Sequence, residues 1–514
     1  MLKEPTPQQY QFEMVTLEEL VPQDHLVRKI DATIDFEFIR DTVRHLYCAD
    51  NGRPAIDPVR LIKMMLLGYL FGVPSERRLV KEIQVNVAYR WFLRMGLTEK
   101  VPDASTLSQN RIRRFNDSDV FQQIFDHIVE QALGLGMANG RVLYTDSTHL
   151  KADANSRKAI NELHPVGVSD YLAELNAAVE ADRKQHGKKP LPDVKKTPEH
   201  AAVKNTKVST TDPESGFMHR DNKPKGFFYL DHRTVDGKHG IIMDTYVTPG
   251  NVHDSQPFIG RLERQVKRFS LETVAVGVDA GYFTAAVCHL TQELDIALVP
   301  GYRRPHKGQN DFQKKHFRYD EERDVYVCPA EEELIYGTTD RNGYRHYRSD
   351  SSVCDQCVQR QQCTQNSKSQ KTITRHVWEA SKEEANRLRL TKWGKKVYAR
   401  RKETVERSFA DAKQHHGHRY ARYRGLSKVQ MQCLLAATAQ NMKKMALLAL
   451  LYWFYRRLKA SQEGLKSDIE EKKGQKRVGW KNMAIATFGR YKRRTPHKNA
   501  GFVSSLRALR PCFI

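Results

Sequence analysis

Apolar positions first gather into a helical rhythm after Asp57-Pro58, where Val59, Leu61, Ile62, Met65, Leu66, Tyr69 and Leu70 share one repeat. A second helix is predicted from Pro74-Ser75-Glu76, carrying Leu79, Ile83 and Val87. A third follows Pro102-Asp103-Ala104-Ser105-Thr106 and carries Leu107, Ile112 and Phe115. Arg111, Arg113 and Arg114 make this last helix basic. Residues 1–135 therefore read as an all-α domain, either a helix-turn-helix-like DNA reader or a plain bundle with a solvated arginine face.

The rhythm then changes to short apolar runs. Val142, Leu143 and Tyr144 predict a buried strand with Asp146 just beyond it, at the rim of a sheet. An aspartate there is either a rigidly held metal ligand or simply the start of a turn. Residues 155–206 are polar, rich in lysine and without a strong period, which reads as an insertion. Phe227 to Leu230 and Ile241 to Met243, joined through Asp236-Gly237, form a hairpin that ends near Pro249-Gly250. A helix is expected over Phe258 to Phe269. Val274 to Val278 is a further buried strand ending at Asp279, and Ile296 to Val299 is another. Strand, hairpin, helix, strand, helix, strand is the layout of a ribonuclease H-like mixed sheet flanked by helices, assigned here to residues 136–300.

Residues 301–391 break the pattern with a basic loop and then Cys328, Cys354, Cys357 and Cys363. Four thiolates suit a closed, structural Zn²⁺ site able to hold a small insertion that lacks a core. The alternative is a set of unligated thiols. Over residues 392–455 the core resumes as helices, with Val405, Phe409 and Ala412 as an apolar stripe and Glu403, Glu406 and Lys413 on another face. His415, His416 and His418, followed by Arg419, Arg422 and Arg424, read as a basic polar surface. A helix rich in apolar residues is expected from Val429 to Leu451, and residues 456–514 form a basic tail.

Charge gives these elements a partner. The 514 residues carry 85 Lys+Arg against 61 Asp+Glu, a formal net charge of +24. This excess points to a polyanionic partner, with nucleic acid first and an anionic membrane second. No apolar run reaches the ~20 residues of a membrane-spanning helix, and the N-terminus has no apolar signal core. The expectation is a soluble, cytoplasmic, nucleoid-associated protein with no membrane partner. Eight cysteines in such a chain do not form a disulfide scaffold.

Asp146, Asp279 and Glu406 now stand on two strands and a helix. If the fold brings them together, three acids can hold two divalent cations ~3.5–4 Å apart, and oxygen ligands select Mg²⁺ or Mn²⁺. The chain further resembles bacterial insertion-sequence transposases of the DDE type, in the branch with long chains and a cysteine-bearing insertion. The resemblance runs from about Asp57 to Gly425. It is carried by GRPAIDPVRLIKMMLLGYLFGVPSERRL, VPDASTLSQNRIRR, YTDSTHLKADAN, STTDPESG, VTPGNVHDS, VDAGYF and VERSFADAK. Together these are specific, and each alone is weak. The resemblance implies Asp146, Asp279 and Glu406 as the acid triad, with Lys413 two turns beyond Glu406. Tyr398 and Arg401 resemble the Tyr-x-x-Arg that precedes the Glu, although four residues separate Arg401 from Glu406 where the related signature often has three. Glu403 is the rival third acid, and His253-Asp254 match a family feature with a supporting role. The implied activity is cleavage at terminal inverted repeats and joining of 3′ ends to target DNA, by a homodimer bound to transposon ends. Arg111, Arg113, Arg114, Lys413, Arg422 and Arg424 are the expected DNA contacts. A non-catalytic DNA-binding derivative and a zinc-bearing RNA-binding or ribonuclease protein are the alternatives.

Overall fold

The computed structural model describes residues 14–48, 55–115, 118–165, 171–192, 203–219, 225–302 and 312–449. Most of the basic loop after Tyr302 and the tail over 456–514 lie outside these residues.

The helical region begins as the sequence predicts. Asp57 caps the helix Pro58–Leu70, its carboxylate accepting from the Val59 amide at 3.1 Å. Proline at the first position suits this start, since its missing N–H would go unbonded there. The helix is enclosed on nearly every side rather than along one stripe. Even Lys63 is buried, held by Asp31 at 2.8 Å and lying over the rings of Phe36 and Phe92. The helix Ala104–Gln109 runs on into a π-helical turn, Asn110–Arg114, which carries the arginines. The helix Val120–Gly134 then ties this region to the core. Its buried Asp126 binds Arg264 at 2.7 Å and Arg268 at 3.4 Å, both on the helix Phe258–Phe269.

The strands of the core are β1 (Val142–Lys151), β4 (Gly216–Met218), β5 (Gly226–Asp236), β6 (Ile242–Pro249), β7 (Ala275–Val278) and β8 (Ala297–Pro300), numbered in chain order with β2 and β3 below. They form one mixed sheet in which β5, β1, β7 and β8 are neighbours and β4 and β6 both pair with β5. The β1–β5, β4–β5 and β5–β6 pairs are antiparallel, whereas β1–β7 and β7–β8 are parallel. The hairpin, the helix Phe258–Phe269 and the two short strands fall where their apolar runs place them. Two expectations need correction. β1 runs on to Lys151, so Asp146 lies inside the strand and not beyond it. β5 continues through Asp231, His232 and Arg233, all buried.

The stretch read as an insertion or long connection holds β2 (Ala159–Pro165), the helix Leu172–Gln185 and β3 (Val203–Ser209), with β2 and β3 paired antiparallel. The cysteine-bearing region is also ordered. β9 (Arg318–Asp320), β10 (Val325–Val327), β11 (Glu333–Thr339), β12 (Tyr344–Ser349) and β13 (Thr372–His376) form an antiparallel sheet in chain order. It does not lack a core, because Phe317, Tyr326, Leu334, Tyr347 and Ile373 pack together with Cys328 and Cys363 against them. The helix Leu172–Gln185 belongs to the same module. Its Asp182 accepts from Arg345 at 2.6 Å, and its Arg183 donates to the Thr339 carbonyl at 2.7 Å. His186, just after it, stacks on Tyr336.

Candidate active site

The two aspartates meet through strand register. Parallel pairing sets Tyr144 opposite Gly277. Carrying the same offset two places further sets Asp146 opposite Asp279, just past the end of β7. Adjacent strands lie ~4.8 Å apart, so the two acids are neighbours despite their distance in sequence. Gly277 makes this approach possible. A Cβ there would lie 2.8 Å from the Tyr144 ring and 3.7 Å from Arg401 Cγ. Asp279 also caps the short turn Ala280–Tyr282, accepting from the Gly281 amide.

Glu406 arrives on the helix Val405–His415, whose buried Val405, Phe409 and Ala412 seat it on the sheet. Arg401 links this helix to the strand. Its Nη2 donates to Asp146 Oδ2 at 2.6 Å, while Nη1 stands 4.0 Å from Glu406 Oε1. The guanidinium is buried and its Nε lacks a hydrogen-bond partner among the described residues. Glu403 is exposed, and its charge acts on Tyr144 beside Arg400 and Asp236. Lys413 is half-buried. Burial, with Arg419 and Arg233, holds its pKa below the usual value, against the pull of Asp231 and Asp146.

Burial is the main reason that the Asp146 pKa is raised to about 6, and the charges of Asp279 and Asp254 push in the same direction. Arg401 and the Ser147 amide oppose them. A carboxylate that retains its proton this far is short of positive charge.

Beneath the glutamate helix lies a group of polar residues that the sequence reading passed over. Arg233 is fully buried and donates to Asp231 at 2.9 Å and Gln440 at 2.7 Å, and reaches Ser408 at 3.3 Å. His418 meets Asp231 at 2.7 Å. Burial drives the His418 pKa down, and Arg233 adds to that shift. In the Asp231 carboxylate the cations outweigh burial and hold its pKa below the ordinary range. The histidines were expected on a basic surface, but His416 and His418 are buried. Only the polar character of DHR inside an apolar run could have flagged this group. Among the described residues, Asp231, His418 and Cys433 are the one set of three such ligand atoms all within 4.8 Å of one another. Arg233 already neutralises Asp231 there, and burial keeps Cys433 a neutral thiol. That set is a structural network.

The expected DNA contacts divide. Arg111 is buried, paired with Glu76 at 3.1 Å and lying 4.1 Å over the Tyr423 ring. These contacts occupy its guanidinium, which corrects the expectation of a DNA-facing residue. Arg114 and Arg422 are partly buried over Tyr47 and Tyr69. Arg113 and Arg424 are exposed, and Arg424 pairs with Asp153 at 3.1 Å. The four cysteines line one small cavity at the edge of their sheet. Cys328 Sγ accepts from the amides of Ala330 at 3.3 Å and Glu332 at 3.4 Å.

The fold and site define a mixed α/β protein with an acid centre at the end of its central parallel strands and a helical region on its N-terminal side. A family model described as Transposase domain (DUF772) matches residues 15–113. A second, described as Transposase DDE domain, matches residues 327–446, which include the four cysteines, Glu406 and Lys413. No curated protein matches the chain. Both matches are to transposase domains, and together they support an insertion-sequence transposase of the DDE type. A domain of this kind implies a nuclease or transferase that uses a divalent metal. No helix among the described residues is long and apolar enough to cross a membrane.

Proposed function

We propose that this transposase cuts phosphodiesters at terminal inverted repeats and joins the freed 3′ ends to target DNA, acting as a homodimer on a ribonuclease H-like core. The observation that carries the reading is the register of Asp146 with Asp279, with Glu406 on the far side of the Arg401 guanidinium that binds Asp146. The sheet supports the core assignment, with an antiparallel hairpin on one side of β1 and two parallel strands on the other.

The donor set suits Mg²⁺ or Mn²⁺. It consists of carboxylates, the charge of Asp279 raises the proton affinity of Asp146, and the cation bonded to Asp146 is a guanidinium. Asp146, Asp279 and Glu406 would hold two such ions, which neutralise phosphate charge and activate water when bound. Arg401 balances Asp146 by donating to its Oδ2 and would yield that oxygen to a bound ion. Lys413, beside the acids, presents an ammonium to the phosphate near the cut. In the first step water replaces the 3′ oxygen at phosphorus, leaving a 3′ hydroxyl. In the second, that hydroxyl attacks a target phosphodiester and displaces the target's own 3′ oxygen. Arg113, Lys413, Arg422 and Arg424 are the proposed phosphate contacts, and Arg111 is left out. The test is incubation with DNA carrying the element's own ends. Mg²⁺-dependent 3′ hydroxyls at those ends and joined products are expected. A protein that binds the ends and never cuts them would instead be a non-catalytic derivative.

The pKa of Asp146 makes the metal requirement depend on pH. Metal needs the ionised carboxylate, so a proton competes below about pH 6. The Mg²⁺ concentration for half-maximal cleavage should rise up to ~10-fold per pH unit below that value and level off above it. Stability without metal follows from the same shift. A raised carboxylate pKa contributes stability at low pH that is lost as pH rises through about 6. Added Mg²⁺ should reverse that loss. A requirement for Mg²⁺ that does not change between about pH 7 and about pH 5 would count against Asp146 as a ligand.

Cys328, Cys354, Cys357 and Cys363 are proposed to hold one structural Zn²⁺. Their shared cavity and the two amides aimed at Cys328 Sγ support a thiolate site. Because the module has its own aromatic core, zinc removal should loosen the helical turns Ser351–Asp355 and Arg360–Cys363 and leave the sheet intact. Hydrogen exchange before and after chelation reads this directly. Purified protein without zinc would refute the site.

A further inference from the structure

Asp254 lies in the turn after β6 and has no place in the three-acid scheme. Its Oδ1 accepts from Ser147 Oγ at 2.8 Å. The amide of the same Ser147 donates to Asp146 Oδ1, also at 2.8 Å. One serine therefore joins two carboxylates. Its hydroxyl is neutral and cannot offset the charge of Asp254. The other oxygen of Asp146, Oδ2, is taken by Arg401 on the side of Glu406. The charge of Asp254 acts on Asp146 together with that of Asp279, while Arg401 lies between Asp146 and Glu406. His253, its neighbour in sequence, is exposed and bonds Ser255 at 2.7 Å, so the two residues of the motif have separate surroundings.

A second observation points to a ligand on the Asp254 flank. Tyr282 is fully buried, and its hydroxyl has no hydrogen-bond partner among the described residues. The charges that act on it are those of Asp254, Asp146 and Asp279, with Arg401 opposing. His232 is also buried and is affected first, after burial itself, by Asp254. Its Nε2 bonds Thr248 at 2.8 Å, while its Nδ1 has no partner among the described residues. Buried polar groups without partners are rare and costly. Orphaned groups beside a cluster of carboxylates mark a place for a hydrated cation.

We propose that Asp254 is a fourth carboxylate of the divalent-cation set, serving the flank of Asp146 away from Glu406, with Tyr282 Oη hydrogen-bonded to a water there. The proposal rests on the acid-centre reading above and adds a residue to it.

The test uses full-length protein without DNA, titrated with Mn²⁺ and followed by electron paramagnetic resonance and calorimetry. Wild-type protein should take up two ions. Asp254→Asn should keep one and bind the other at least ~10-fold more weakly. Asp279→Asn should weaken both. If Asp254→Asn binds both ions as wild type does while Asp279→Asn does not, the role of Asp254 is overturned and the acid centre stands. If neither variant changes Mn²⁺ binding, the acid-centre reading falls as well. Asp254→Cys covers the case in which the asparagine variant fails to fold. Its cleavage should be lost in Mg²⁺ and recovered in Mn²⁺ or Cd²⁺, because a thiolate prefers softer ions. A misfolded chain is not repaired by a change of ion. Folded Asp254→Cys that is equally impaired with all three ions would overturn the proposal.

Discussion

Asp279→Asn should abolish strand cleavage and leave binding to the transposon ends intact. The only hydrogen bond found for the Asp279 side chain among the described residues is the one from the Gly281 amide, and an asparagine oxygen can still accept it. The turn Ala280–Tyr282 should therefore keep its shape. The substitution removes one negative charge from a centre built to hold cations. Residues that merely support a metal ligand cost ~10–100-fold when changed, and a ligand itself should cost well beyond ~100-fold. DNA affinity arises elsewhere, from lysine and arginine meeting a duplex with one charge per ~1.7 Å. A gel shift and a Mg²⁺-dependent cleavage assay at one salt concentration separate the two effects. Cutting at the wild-type rate would refute the assignment. Loss of binding and cutting together would mean that Asp279 holds the fold.

The largest effect on stability is expected from Arg233→Met. Both members of the Arg233–Asp231 pair are fully buried. Removing one partner of a buried pair costs ~3–5 kcal/mol, because the other charge is left without compensation. His418 gives the effect a pH signature. In the wild type, burial and the repulsion of Arg233 keep its pKa low. Without Arg233 burial still opposes protonation but the repulsion is gone, so the folded-state pKa should rise above its wild-type position. The native variant then takes up its proton at a higher pH than the native wild type does, which offsets part of the deficit at low pH and is lost as pH rises. The deficit of Arg233→Met should thus be smaller at about pH 6 than at about pH 9. Urea unfolding at both values measures it. An equal deficit at both would show that His418 does not compensate.

The predictions that succeeded from sequence share a physical basis. β7 and β8 are short runs buried on both faces, and the helix Phe258–Phe269 has one apolar side, so periodicity marks their positions. Asp279 was legible because an acid that ends such a run is conspicuous. Asp231, His232 and Arg233 were not, because polarity normally signals solvent. Here β5 is buried on both faces, and its charges are satisfied by His418, Thr245 and Gln440 from distant parts of the chain. Arg111 misled for a related reason. A run of arginines reads as an exposed face, yet this one points at Glu76 and Tyr423, which no local pattern brings near it. The sheet β9–β13 escaped notice because its strands are rich in polar and charged residues and its core relies on tyrosines with polar hydroxyls. Asp324 accepts from two of them, Tyr319 and Tyr347, each at about 2.7 Å or less.

The helical region meets the core at the Asp126 contacts with Arg264 and Arg268 and at a second joint beside the glutamate helix. The ring nitrogen of His416 lies 2.9 Å from the Tyr69 carbonyl, and Arg422 lies over the Tyr69 ring. A Cβ on Gly72 would stand 2.7 Å from the His415 carbonyl, and Arg111 reaches Tyr423. On the core side the contacts of this second joint all fall in the few residues directly after the helix that carries Glu406. The two regions are therefore poor candidates for free exchange between related proteins. A hybrid that takes a new N-terminal region and keeps the resident 415–423 segment would mismatch at Tyr69, Gly72 and Arg111, and the error would sit within two turns of Lys413. Grafts that carry the 415–423 segment with the helices it docks against keep this second joint whole and leave only the Asp126 contacts with Arg264 and Arg268 to be matched, so this small segment, far along the chain, behaves as part of the N-terminal module.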